Sequence, residues 1–140
     1  MNRGRFTSTN TEWGTPMYLF KEIEKEFGEF DLDPCASKEN AKCKKYFTKE
    51  HDGLTQNWQG KVFMNPPYGA ELPLWMEKAR KSGCFVVCLV PSRTDTKWWH
   101  ENVENIAKVK FIKGRIKFEG AKWNAPFSSA LIIYESHDLP

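Results

Sequence analysis

The stretch "GCFVVCLVP", residues 83–91, is apolar from Cys84 onward with no polar alternation. A strand with one wet face would alternate; a continuous run of this length reads as a central strand covered on both faces. Such a strand needs a layer on each side, which points to an α/β sheet. The flanks agree. Upstream, Leu72, Trp75, Met76 and Ala79 fall at 3–4 spacing and predict a helix from about Pro73 to Ser82. Before it, "KVFMN" reads as another strand, closed by Pro66. Downstream, Trp99, Val103 and Ile106 are in register for a helix over Asp95 to Ala107.

Further out, "TPMYLFKEIEKEFG" (15–28) predicts a helix with Thr15 as cap, Pro16 at the first helical position and Gly28 as the stop. Phe20, Ile23 and Phe27 share one face. "EFDLDP" is a short strand ending at Pro34, and "KKYFT" a second. "KVKFIKG" alternates as a half-buried strand should. Arg115 to Phe118 could pair back through Gly114, and "SSALIIYE" is the last strand. Strands alternating with helices predict a mostly parallel sheet. The close-set C-terminal strands predict antiparallel additions to it.

A chain of 140 residues is long enough for one domain with a real core. Residues 1–12 are polar, include Arg3 and Arg5, and read as a flexible arm; 13–140 reads as a single domain. No apolar run reaches the roughly 20 residues of a membrane helix. The N-terminus lacks the apolar segment of a secretory signal, so a cytoplasmic location is expected. Cys35, Cys43, Cys84 and Cys88 form no Cys-x-x-Cys pair and the three His are scattered, which disfavours zinc. Cys84 and Cys88 read as small core residues. The net charge is only +3, but Lys97, Lys108, Lys110, Lys113, Arg115, Lys117 and Lys122 concentrate positive charge late in the chain. That excess could meet phosphate or be a solvated surface.

Three strands end in unusual residues: "DLDPCAS", "FMNPPYG" and "CLVPSRTDT". In α/β sheets ligands bind beyond the carboxyl ends of strands. The residues therefore predict a site lined by Asp33, Asn65, Tyr68 and either Ser92 or Arg93. Two prolines after Asn65 remove backbone donors and stiffen the corner while leaving carbonyl acceptors. Asn65 Oδ1 and the Pro66 carbonyl could together hold an exocyclic amino group, with Tyr68 flat against the attached ring. The plainer alternative is a strand-ending turn with a buried tyrosine.

The ordered set "TEWGTP…FDLDPCAS…NPPYG…FVVCLVPSRTDTKWW…GRIKF…APFSSALIIY" resembles the small phage-type DNA N6-adenine methyltransferases. The likeness runs from about Glu12 to Tyr134, and Asn-Pro-Pro-Tyr is its most specific element. It implies a Rossmann-like methyltransferase fold, S-adenosylmethionine as cofactor and DNA as partner, in a bacterial or phage-infected cell. By that resemblance Asn65, Pro66, Pro67 and Tyr68 form the target-base pocket. Thr15 and Pro16 match the segment near the amino-acid end of the cofactor. Asp33 or Asp31 matches the acidic position beside it, Cys35 follows in the same turn, and Asp52 in "EHDGL" is a weaker match. Arg93, Lys97, Trp98 and Arg115 are the nucleic-acid candidates. Trp98 is the tryptophan free to stack on a base, and Trp99 the one that faces inward.

The chain departs from larger relatives in having no Gly-rich turn after the first strand, where Cys35-Ala36-Ser37 stand instead. It is also short, so a compact or abbreviated sheet is expected. Two alternative functions follow. One is transfer to another planar amino group: cytosine N4, guanine N2 in RNA, or glutamine. The other is a non-catalytic nucleic-acid-binding module on the same fold. Oligomeric state leaves no mark on the sequence.

Overall fold

A computed structural model describes residues 13–136. The arm expected over 1–12, with Arg3 and Arg5, lies outside the described residues, as does His137. The elements run α1 (Met17–Phe27), β1 (Leu32–Asp33), β2 (Lys45–Tyr46), a 3-10 turn (Gly53–Thr55), β3 (Val62–Met64), α2 (Leu72–Lys81), β4 (Val86–Pro91), α3 (Lys97–Asn102), β5 (Lys108–Phe111) and β6 (Ser129–Tyr134). They form one six-stranded sheet in the order β2-β1-β3-β4-β6-β5. β2, β1, β3 and β4 are mutually parallel; β6 runs antiparallel to both β4 and β5. This is the expected compact α/β architecture, consistent with a Rossmann-like fold, with antiparallel C-terminal strands.

Period-two alternation divides the core cleanly. Val62, Met64, Val86, Cys88, Val90, Ala130 and Ile132 point to one face, where Trp75, Met76 and Ala79 of α2 and Trp98, Trp99 and Val103 of the α3 region cover them. Phe63, Val87, Leu89, Leu131 and Ile133 point to the other, under Leu19, Phe20 and Ile23 of α1 and the loop residues Ile116, Phe118 and Ala125. Every residue of β4 and β6 is buried, as a doubly covered strand requires.

Four local expectations need correction. Pro16, not Thr15, is the N-cap of α1: its carbonyl accepts from the Leu19 and Phe20 N–H groups, and no side chain caps the helix. Gly28 does stop it, with φ +89 and its N–H donating to the Glu24 carbonyl. α3 is shorter than 95–107, because Thr96 caps it through the Trp99 N–H and Asn105 turns left-handed at φ 62, leaving Ile106 half exposed. β5 is exposed along its whole length rather than half buried, because it is the sheet edge. Arg115 to Phe118 is not a strand; it is a loop, held by the Ala125 N–H on the Ile116 carbonyl.

All four cysteines are free, with Cys88 buried and Cys84 half-buried just before β4. Among the described residues no helix is long and apolar enough to cross a membrane.

Candidate active site

The chain leaves β1 toward β2 on one side and reaches β3 on the other, so the strand order reverses between β1 and β3. At such a switch point the connections diverge and open a crevice at the carboxyl ends of the strands. A cavity of about 1090 Å³ lies there. Its walls include Asp33, Pro34 and Cys35 at the end of β1; Asp52 and Gly53 at the start of the 3-10 turn; Asn65, Pro66, Pro67 and Tyr68 after β3; and Trp13, Gly14 and Thr15 ahead of α1.

Asn65 is fixed by its amide nitrogen. Nδ2 donates to the Trp13 carbonyl and, at 2.9 Å, to Thr15 Oγ1. The Trp13 carbonyl can only accept, so it dictates which end of the amide faces it and leaves Oδ1 turned away. Oδ1 is buried with no hydrogen-bond partner among the described residues. Leaving a buried acceptor unmatched costs about 1–3 kcal/mol, and such orphans call for an explanation. Thr15 is thus an anchor for Asn65 instead of a helix cap.

Asp33 sits at the other corner, 5% exposed. Its Oδ2 accepts the Lys42 N–H at 3.0 Å, and the Cys35 N–H also donates to the carboxylate. Burial outweighs these bonds and pushes its pKa up to about 6. Asp31 is placed differently: it is exposed at the entry to β1, accepts the Lys61 N–H at 2.8 Å, and does not line the cavity. Of the two aspartates, Asp33 is the one that lines the cavity. The Cys35 thiol is held well above its ordinary pKa by burial and by the neighbouring Asp33 carboxylate, so it stays protonated.

Gly53 lets the start of the 3-10 turn pack directly against the β1 turn. A Cβ there would fall 2.1 Å from the Pro34 carbonyl oxygen. Asp52 beside it takes φ 55 at the cavity edge.

Tyr68 lines the cavity but is only 8% exposed. Its hydroxyl donates to the Leu89 carbonyl at 2.9 Å, and its ring meets Phe118 and Phe127 edge-on. It is a supported wall rather than the open stacking platform expected. Ser92 and Arg93 do not line the cavity. After β4 the chain turns toward the last strands: the Ser92 N–H donates to the Ser128 carbonyl, and the Arg93 guanidinium lies 6.0 Å from the Phe127 ring centre.

Of the nucleic-acid candidates, Arg93, Lys97 and Arg115 are exposed, and Lys97 lies 3.8 Å from Glu101. Trp98 is buried beside Trp99 in the core, so it cannot stack on a base as expected. The sequence reading missed Trp13, Lys42 and Glu119. The Lys42 side chain is 6% exposed, its Nζ is 3.7 Å from Glu119, and Glu119 pairs through its backbone with Gly14. Only Trp13 carried a hint, lying within the "TEWGTP" segment.

The family model described as DNA N-6-adenine-methyltransferase (Dam) matches residues 6–133. The DNA N-6-adenine-methyltransferase of Haemophilus phage HP1 is 36% identical over 124 residues, covering 80% of this chain and 72% of the relative. That of Escherichia phage T1 is 31% identical over 121 residues, covering 78% of this chain and half of the relative's length.

Proposed function

This chain belongs to the DNA N-6-adenine-methyltransferase family, and we propose that its cavity binds S-adenosylmethionine against the β1 corner and an adenine amino group against the β3 corner. The observation that carries this reading is the orphaned Asn65 Oδ1, held in place by Trp13 and Thr15 in a cavity wall. A buried acceptor held by two fixed bonds and left unpaired beside a cavity is a feature that a donor arriving with a ligand would satisfy.

The residues present fit the cofactor. S-adenosylmethionine, when bound, supplies a positively charged sulfonium methyl as the electrophile. Asp33 offers it a partly desolvated carboxylate, and any cation brought close recovers the cost of that burial. Cys35, Asp52 and the Thr15-Pro16 segment complete the proposed cofactor wall.

The adenine amino group is a weak nucleophile because its lone pair is delocalised into the ring. Accepting its N–H hydrogens at Asn65 Oδ1 and the Pro66 carbonyl favours a tetrahedral nitrogen whose lone pair is free to react. That is orientation and electrostatic stabilisation by preorganised dipoles. Pro66 and Pro67 keep the corner rigid, and Tyr68 walls it. After transfer the nitrogen carries an extra proton, which passes to water. A target within a duplex must first leave the stack, at a cost of a few kcal/mol. One domain over 13–140 holds all these parts in this reading, and the partner is DNA.

The test is transfer of labelled methyl from S-adenosylmethionine to unmethylated DNA, followed by digestion and identification of the nucleoside. N6-methyladenosine in its deoxy form is the expected product. Label in cytosine, RNA or protein would move the substrate to another planar amine. Calorimetric silence toward S-adenosylmethionine would leave only a binding module.

A further inference from the structure

Six tryptophans occur in the chain. Trp58, Trp75, Trp98 and Trp99 are buried and Trp13 is half-buried, whereas Trp123 is 74% exposed. An indole costs free energy to leave in water, so an isolated exposed one on a tethered loop suggests a surface that meets a partner.

Trp123 lies in the loop joining β5 to β6. The loop is firmly held at both shoulders. Phe118 is buried edge-on to Trp13 and Tyr68, Phe127 packs on the same two rings, and the Glu119 N–H donates to the Gly14 carbonyl. Both shoulders therefore rest on walls of the cavity. Trp123 is four residues from Phe127, so their Cα atoms lie within about 14 Å of each other. Gly120, at φ +76, turns the chain between the shoulders.

The charge on this loop is one-sided. Lys113, Arg115, Lys117 and Lys122 are exposed, and none forms an ion pair among the described residues. The loop's one acid, Glu119, is engaged by Lys42. Residues 112–128 thus carry a formal +3, equal to the net charge of the whole chain. Lys122 Nζ lies 5.7 Å from the Trp123 ring centre, so cation and aromatic face travel together.

We propose that this loop is a DNA-docking element in which Lys113, Arg115, Lys117 and Lys122 meet phosphates and Trp123 enters the base stack next to the target adenine. The proposal rests on the methyltransferase reading for its target base. A duplex gives up stacking energy when a base is extruded, and an inserted apolar or aromatic side chain offsets part of that loss. Stacking of a base on an aromatic side chain is worth about 1–3 kcal/mol.

The experiment uses the full chain and a mixed-sequence duplex. Acrylamide quenching of tryptophan emission is measured with and without saturating DNA, in the parent and in Trp123→Ala. Methyl transfer is then compared on duplex and on the same DNA heat-denatured. The expected result is an accessible emission component that is absent from Trp123→Ala and that DNA shields. Duplex methylation in the variant should fall about tenfold, as a lost stacking contact predicts. Its rate on denatured strands should stay within about threefold, because no base has to be extruded.

Trp123 remaining accessible on DNA would overturn the proposal. So would shielding before DNA is added in a chain that runs as a dimer, which would make the partner a second copy. Equal losses on duplex and denatured DNA would remove the wedge role. Quenching needs no turnover, so a parent that shields Trp123 on DNA without methylating it would sink the catalytic reading and leave the docking surface standing.

Discussion

The β1 and β3 corners stand side by side at one sheet end, and each strand closes on a polar side chain followed by proline: Asp33-Pro34 and Asn65-Pro66. Their hydrogen bonding is opposite. Asp33 receives backbone N–H donors from Lys42 and Cys35 yet remains costly to ionise. Asn65 spends its donors on Trp13 and Thr15 and leaves its acceptor empty. One corner thus holds a carboxylate whose burial Lys42 and two N–H donors offset only in part, and the other a neutral acceptor short of a donor. A positively charged methyl donor and an amino nucleophile are the ligands that complement them. The difference can be broken one corner at a time.

The largest effect is expected from Asn65→Ala. Removing a preorganised dipole at the reacting group typically costs about 10²–10³-fold in turnover. S-adenosylmethionine affinity should stay near parental, because the cofactor reading places no contact on Oδ1. Steady-state kinetics with calorimetry checks both. A variant that loses cofactor binding in step with turnover would merge the two corners into one.

Asp33→Asn tests the other corner and moves two quantities in opposite directions. The folded pKa is raised, from 3.8 to about 6, so the folded state holds the proton more tightly than the unfolded chain. Stability from this group is complete below pH 3.8 and is lost as pH rises through about 6, a loss of order 3 kcal/mol. Asparagine avoids that loss and can still accept the Lys42 N–H. The variant should match the parent near pH 4 and exceed it above pH 6, by up to about 3 kcal/mol in denaturant unfolding. Cofactor affinity should fall about tenfold to a hundredfold for want of the carboxylate. In the parent, cofactor affinity should weaken as pH drops below about 6.

How much of this could be read in the sequence depends on the range of the contacts. β4 and β6 were legible because burial on both faces writes itself as an unbroken apolar run. The two corners were legible because strand, polar residue and proline are adjacent in the chain. β5 was misread because alternation in "KVKFIKG" resembles half-burial, whereas exposure depends on what covers the strand. Trp98 was misread because helix spacing placed only Trp99 inside, and the short α3 buries both. The orphaned Oδ1 was not legible at all. It exists only because residue 13 delivers a carbonyl to residue 65 across 52 positions. Asp31 and Asp33 differ by two positions along the chain, which sets one at the entry to β1 and the other at its carboxyl end, where the cavity lies.

Thr15→Val sharpens the same point at smaller amplitude. Valine keeps the shape of a buried residue but gives Asn65 Nδ2 no acceptor, leaving Trp13 alone to orient the amide. A lost neutral hydrogen bond is worth about 1 kcal/mol, so turnover should drop roughly fivefold to tenfold with DNA affinity little changed. Helix content should not move, because Pro16 is the cap of α1. Loss of helical circular dichroism would return Thr15 to the capping role read from sequence.

Tyr68→Phe carries the smallest expected effect and separates wall from platform. Burial raises the phenol pKa well above its ordinary value, so the hydroxyl is a neutral donor to Leu89 at every working pH. Removing it leaves the ring against Phe118 and Phe127 and costs about 1 kcal/mol, which for a chain of this size lowers Tm by about 4 °C. Turnover should remain within about threefold, since the hydroxyl is spent on the Leu89 carbonyl of β4. A loss as deep as that of Asn65→Ala would place the hydroxyl in the chemistry, and the β3 corner would then present a donor as well as an acceptor, erasing the contrast with β1.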